Sequence, residues 1–242
     1  MTCDDLDSER SVLAEYILKN ACRAGSSEVK EKLRKKGRQL ARCQASAQQP
    51  RLLACDQWFC PQCSWRLYRN KGKRYAGRLD PYVDGGAASS WVITYNGPHI
   101  EPSDNSTAIL SKFHAVRDDV RTIQQEVFAP RTKGQMIGLA ISPSGKIHAH
   151  GVVVGRRNAK NTLRGWLDTA KDLVVSVPMN AFEPVRSVGA AVYAVRAKLE
   201  RPKQPGERWE PELVFQILET ILEYPHKLRF SQMYGCFYGK QP

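Results

Sequence analysis

The spacing of apolar and polar positions divides this chain into two textures. In the first 84 residues the apolar positions recur at helical intervals. Residues 8–23 place Val12, Leu13, Tyr16 and Ile17 on one face, which predicts an amphipathic helix. A basic run follows, KEKLRKKGRQLAR (30–42), read as a helix with a solvated charged face. After a cysteine-rich segment (43–63), RLYRNKGKRYAGRL (66–79) predicts a second basic helix. The glycines of DGGAASS mark a boundary near 85–87, and beyond it the period changes from helical to alternating. SWVITY (90–95) reads as a strand and 107–128 as a helix. QMIGLAIS (135–142) and IHAHGVVV (147–154) read as the two strands of a hairpin joined by the turn PSGK. NTLRGWLDTAKDL (161–173) predicts a helix, LVVSVPM (173–179) a strand and SVGAAVYAVRAKLE (187–200) a helix. A further helix is expected near 210–223, then an aromatic segment, LRFSQMYGCFYG. The order β-α-β-β-α-β-α is the split βαβ pattern of a ferredoxin-like antiparallel sheet. The expected fold class is therefore α+β, with a helical, basic region (1–84) preceding a sheet domain (85–242).

Composition narrows the partners. The chain has 242 residues, 42% of them hydrophobic, enough for a buried core. Lys and Arg total 37 against 24 acids, a net charge of +13, which favours a polyanionic partner, nucleic acid above all. The acidic opening MTCDDLDSER lacks the apolar stretch of a signal peptide, and no apolar run approaches a membrane span. The expectation is a cytoplasmic protein with no membrane partner. Seven cysteines in such a chain favour metal binding or free thiols over disulfides.

Cys43, Cys55, Cys60 and Cys63 are separated by eleven, four and two residues. The stretch CDQWFCPQCSWR contains Cys-Pro-x-Cys, a tight knuckle that lets two thiolates grip one Zn²⁺. Four thiolates would make a closed, structural tetrahedral site. Cys43 is separated by the longest loop, and Cys22 is its natural substitute; Cys3 and Cys236 are read as bystanders.

His148 and His150 stand one residue apart at the head of the apolar hairpin strand. Strand residues i and i+2 share a face, so the two imidazoles are expected to lie parallel and within reach of one cation. Ala149 and Gly151 face the other way and are small enough for close packing. Downstream, Tyr193 and Arg196 lie three apart in a helical pattern, on one face. A phenol attacks a phosphodiester usefully when a metal polarises the phosphate and a cation stabilises the developing charge. Arg66, Arg69, Lys71, Lys73, Arg74 and Arg78 interleave with Tyr68 and Tyr75, matching charges for phosphates with rings for base stacking. Lys146, beside the histidines, joins them as a candidate DNA contact. NKGKR lacks the spacing of a phosphate loop.

WVITYN, then HAH, then VYAVRAK, in that order, with CPQCSWR upstream, resemble the rolling-circle replication initiators of small bacterial plasmids. These belong to the histidine–hydrophobic–histidine (HUH) endonuclease superfamily, and the similarity spans roughly residues 43–240. The resemblance implies that His148 and His150 bind Mg²⁺ or Mn²⁺. It implies that Tyr193, assisted by Arg196, nicks a single-stranded or hairpin origin and leaves a 5′-phosphotyrosine. A host polymerase would extend the free 3′-hydroxyl, and a host helicase or supercoiling would unwind the template. Relatives often carry an acid or a third histidine on the adjacent strand, whereas IGLAIS offers neither. No second tyrosine lies one turn beyond Tyr193, which leaves Glu183 and Glu200 as acids able to activate water. A relaxase or transposase would share these motifs. A non-catalytic zinc-containing nucleic-acid-binding protein would share only the cysteines and the charge.

Overall fold

A computed structural model of the chain describes residues 3–44, 54–64, 88–130, 132–156, 179–184, 208–228, 230–235 and 237, with a subset of positions between 67 and 81. Its elements are α1 (Cys3–Asn20), α2 (Ser27–Ala41), β1 (Ala88–His99), α3 (Ser106–Ile123), β2 (Thr132–Ile141), β3 (Lys146–Arg156), β4 (Met179–Pro184), α4 (Pro211–Glu223) and β5 (Ser231–Gly235). Helical backbone also occurs at the described positions from Cys63 to Pro81.

Local chemistry explains most of the boundaries. Ser26 caps α2, its side chain accepting from the Val29 amide at 3.1 Å, and Asn105 caps α3 by accepting from Ala108 at 2.9 Å. Pro211, which has no amide hydrogen to leave unpaired, opens α4. The predicted helix over 107–128 is α-helical only to Ile123; Gln124–Phe128 widens into a π turn, with Ala129 N–H donating to the Gln124 carbonyl. The turn between β2 and β3 closes through Gly145 N–H to Ser142 O at 2.9 Å, with Gly145 at φ +80°. A side chain there would be strained in φ and would meet the Ile100 carbonyl at 3.0 Å.

The strands form one antiparallel sheet in the order β4-β1-β3-β2-β5. The first four have the order expected for a split β-α-β arrangement, with β3 at the centre and β5 added beyond β2. The fourth strand is described only from the last residue of the apolar run onward. Residues 173–178 of LVVSVPM lie outside the described residues, and the described strand continues from Met179 into NAFEP. The predicted helices over 161–173 and 187–200 also lie outside the described residues.

Alternation separates the sheet's two faces. Tyr95, Ile137, Leu139, Ile147, Ala149 and Val153 join Ile109, Phe113 and Val116 of α3 in the main hydrophobic cluster. Each large apolar side chain buried this way contributes about 1.5–3 kcal/mol. Met136, Ala140, Val152 and Val154, of the opposite parity, are buried outside that cluster, on the face that carries the histidines.

The same cluster runs without a break through Cys43, Cys60 and Cys63 to Leu13 and Ile17 of α1 and Val29, Leu33 and Leu40 of α2. Helix α4 joins the two regions: Phe215 meets Tyr16 edge-on at 6.2 Å, and Leu213, Val214, Ile217 and Leu218 are buried. One inward-facing assignment in α1 is corrected. Val12 is 53% exposed, because the buried stripe runs through Leu13, Ala14 and Ile17 and leaves position 12 outside it. The basic α2 likewise buries Val29, Leu33 and Leu40 beneath its charges.

Candidate metal centres

Four sulfurs converge at the end of α2. Cys43 follows the last helical turn, its amide donating to Leu40 O at 3.1 Å. The other three come from the loop 55–63, where Asp56 takes φ +51° and the Cys63 amide points at Cys60 Sγ, 3.4 Å away. The Sγ atoms of Cys43, Cys55, Cys60 and Cys63 all lie within 4.8 Å of one another. The Cys43–Cys63, Cys55–Cys63 and Cys60–Cys43 separations are 3.5, 3.7 and 3.9 Å. A zinc–sulfur bond of about 2.3 Å places tetrahedral sulfurs about 3.8 Å apart. These separations suit that tetrahedron and are far beyond a disulfide's ~2.05 Å. The cluster can therefore hold a metal such as zinc.

The thiols cannot all behave alike in so small a space. Hydrogen bonds from the Cys55 and Cys60 thiols hold Cys63 down to about 3, while the same contacts and burial push Cys60 well up. A divalent cation would remove this competition by taking the place of the protons. Around the sulfurs, Gln57 donates to Cys55 O at 2.8 Å and to Gln39 Oε1 at 3.1 Å, and accepts from Lys36 Nζ at 2.8 Å. Burial, and then the charge of Lys35, lowers the Lys36 pKa. Lys36 is thus a cation held beside a site whose filled form carries two negative charges. Cys22 is exposed, with its thiol turned to Lys19 O, and Cys43 needs no substitute. Cys236 and the side chain of Cys3 lie outside the described residues.

The second candidate centre is on β3. His148 and His150 share a face as their spacing requires, with ring centroids 4.7 Å apart. The rings are not parallel, however: they meet edge to face at 85°, because each is tied at Nδ1 to a different partner. His148 Nδ1 lies 3.1 Å from Lys146 O, and a carbonyl only accepts, so Nδ1 is the donor in this contact. His150 Nδ1 lies 3.2 Å from Thr94 Oγ1. A ring nitrogen held by a carbonyl or a hydroxyl fixes the orientation of its imidazole, as is common for metal-binding histidines. His148 is only 6% exposed and His150 is half-buried. Among the described residues no third His, Cys, Asp or Glu joins them.

The sheet register identifies the histidines' neighbours. Thr94 is opposite His150 and Asn96 opposite His148 on β1, while Gly138 and Ala140 occupy the corresponding positions on β2. Neither Thr94 nor Asn96 stands out in SWVITYN. Their alternation along the strand is visible there, but the pairing register that puts them beside the histidines is not. Lys36 and Gln57 were equally hidden, being 21 residues apart.

Tyr193, Arg196 and Glu200 lie outside the described residues, as do Arg66, Tyr68, Arg69, Lys71 and Arg74. Glu183 pairs with Val92 through the backbone of β4. Lys73 is exposed, and the Arg78 guanidinium lies 5.5 Å from the Tyr75 ring centre. Lys146 is half-buried, its amide bonded to Ser142 Oγ. No helix among the described residues is long and apolar enough to cross a membrane.

Comparison with models of known protein families, with curated proteins and with solved structures finds no match to this chain.

Proposed function

We propose that this chain is a rolling-circle replication initiator of the HUH superfamily, which nicks single-stranded DNA at a plasmid origin and remains joined to it. One observation carries the reading: two histidines side by side on one face of the central strand, each tied at Nδ1. The sheet order, the net charge of +13 and the order of the three sequence motifs are consistent with it.

In this reading His148 and His150 bind Mg²⁺ or Mn²⁺, which when bound would polarise the scissile phosphate. Tyr193 Oη forms the new bond to phosphorus as its proton leaves. The bond from phosphorus to the 3′ oxygen breaks, and that oxygen departs as a hydroxyl. Arg196 offsets charge gathering on the phosphoryl oxygens. Basic residues of the N-terminal region, among them Arg66, Arg69, Lys71, Lys73 and Arg74, hold the strand, with Lys146 nearer the histidines. Zinc in the Cys43–Cys55–Cys60–Cys63 site acts as a structural cross-link. Host helicase and polymerase complete replication.

The decisive mark is covalent. With Mg²⁺ or Mn²⁺, wild-type protein should form a denaturant-stable adduct with an origin oligonucleotide, mapping to the peptide of Tyr193. Tyr193→Phe keeps the ring and loses only the nucleophile, so it should bind without forming the adduct. An adduct at Tyr234 or Tyr238 would keep the enzyme class and move the site. Absence of any adduct on a cleavable strand would favour a non-catalytic zinc-containing binder, and strand transfer between unlinked origins a relaxase or transposase.

A further inference from the structure

We infer that Asn96 supplies the third protein ligand beside His148 and His150, making an uncharged cation site that takes its negative charge from the DNA phosphate. This rests on the reading that the two histidines bind a divalent cation. Asn96 is directly across from His148 in the β1–β3 ladder, where facing side chains stand about 4.5–5.5 Å apart at Cβ. Among the described residues, the other strand neighbours in the ladder offer nothing comparable. Gly138 and Ala140 on β2 carry no donor atom, and Thr94 Oγ1 is already engaged with His150 Nδ1.

Asparagine is depleted in strand interiors, so the place of Asn96 opposite His148 calls for a reason. The backbone next to it is also built to a special shape. From Asn96 to His99 β1 advances three residues while β3 moves two, from His148 to Lys146, which is a bulge. Bulges re-aim the side chains beside them. Gly97 makes this one possible, since a Cβ there would come within 2.5 Å of Val116 Cγ2 and 2.9 Å of Ile147 O. The chain is therefore pressed against β3 where Asn96 faces His148. Hard divalent cations accept amide oxygens readily.

Two imidazoles and an amide leave both charges of the cation unneutralised by the protein. Affinity should accordingly be weak in free protein and rise when a phosphate joins. The test is Mn²⁺ binding to the full chain, read from the electron paramagnetic resonance of unbound Mn²⁺, with and without a single-stranded oligonucleotide. Thermal unfolding of each variant checks its fold. Asn96→Ala should weaken Mn²⁺ binding about tenfold or more. Asn96→Asp is isosteric and adds the missing charge, so it should tighten binding in the absence of DNA and shrink the gain that DNA brings. His148→Ala separates the two levels of the argument. If it loses Mn²⁺ while Asn96→Ala and Asn96→Asp bind as wild type does, Asn96 is not a ligand although the histidines are. If His148→Ala binds Mn²⁺ unchanged, the histidine site itself is wrong.

Discussion

The two candidate centres solve opposite problems. The cysteine cluster draws its ligands from the end of one helix and a loop, and its four sulfurs close around a single point. The histidine pair comes from one strand of the sheet, and it brings two imidazoles together on one face without a third His, Cys, Asp or Glu among the described residues. A closed thiolate set has no position for water or substrate, so it can only hold chain together. An open set on a rigid strand contributes little to folding and is suited to chemistry. On the proposed reading the first centre governs stability and the second activity, and each can be perturbed without the other.

Zinc removal should give the largest effect. Metal binding to four thiolates is folding free energy, about 10–16 kcal/mol in isolated zinc peptides. Because Cys43, Cys60 and Cys63 belong to the common hydrophobic cluster, the loss should reach α1, α2 and α4. Chelation under reducing conditions, or Cys63→Ser, should lower the calorimetric unfolding midpoint by many degrees, and elemental analysis should find about one zinc per wild-type chain. Zinc-free protein with an unchanged midpoint would break the comparison on its structural side.

Replacing His148 or His150 with alanine should leave that midpoint and the zinc content close to wild type. Nicking of an origin oligonucleotide should fall about a thousandfold, the several kcal/mol a bound cation contributes to the transition state. DNA affinity and its steep salt dependence should persist, since they come from basic groups elsewhere. Nicking that survives in both variants would return the histidines to a structural role.

Thr94→Val should give the smallest change and the sharpest one. It preserves side-chain volume and removes only the hydroxyl 3.2 Å from His150 Nδ1. Losing such an orienting partner typically costs 10–100-fold in metal affinity or activity. Measuring nicking against Mn²⁺ concentration should therefore show a shifted half-saturation point with little loss at saturation. An unshifted curve would show that the sheet alone orients the ring.

How much of this was legible beforehand depends on the distance over which each feature is encoded. The Cys-Pro-x-Cys knuckle, the His-x-His alternation and the hairpin turn at Gly145 are local, because spacing of a few residues fixes them through backbone geometry. The edge-to-face disposition of the imidazoles was not, since His150 is held by Thr94, 56 residues away along the chain. Val12 was misplaced because a four-residue apolar group fits a helical stripe in two phases, and only packing against α2 and α4 selects one. The extension of the fourth strand through Asn180–Pro184 was not legible, because NAFEP lacks an apolar run and is held by pairing with β1.

The amino-acid sequence by itself determined the α+β class, the order of the strands along the chain, the four cysteines and the two histidines, all of which follow from residue type and short spacing. Tertiary structure alone decided which sulfurs meet, since loop closure between Cys43 and Cys55 is set by how the knuckle docks on α2. It alone decided that Thr94 and Asn96 face the histidines. Strand register is fixed by the buried face of the whole sheet, and a slip of one residue would have turned both side chains to the opposite side.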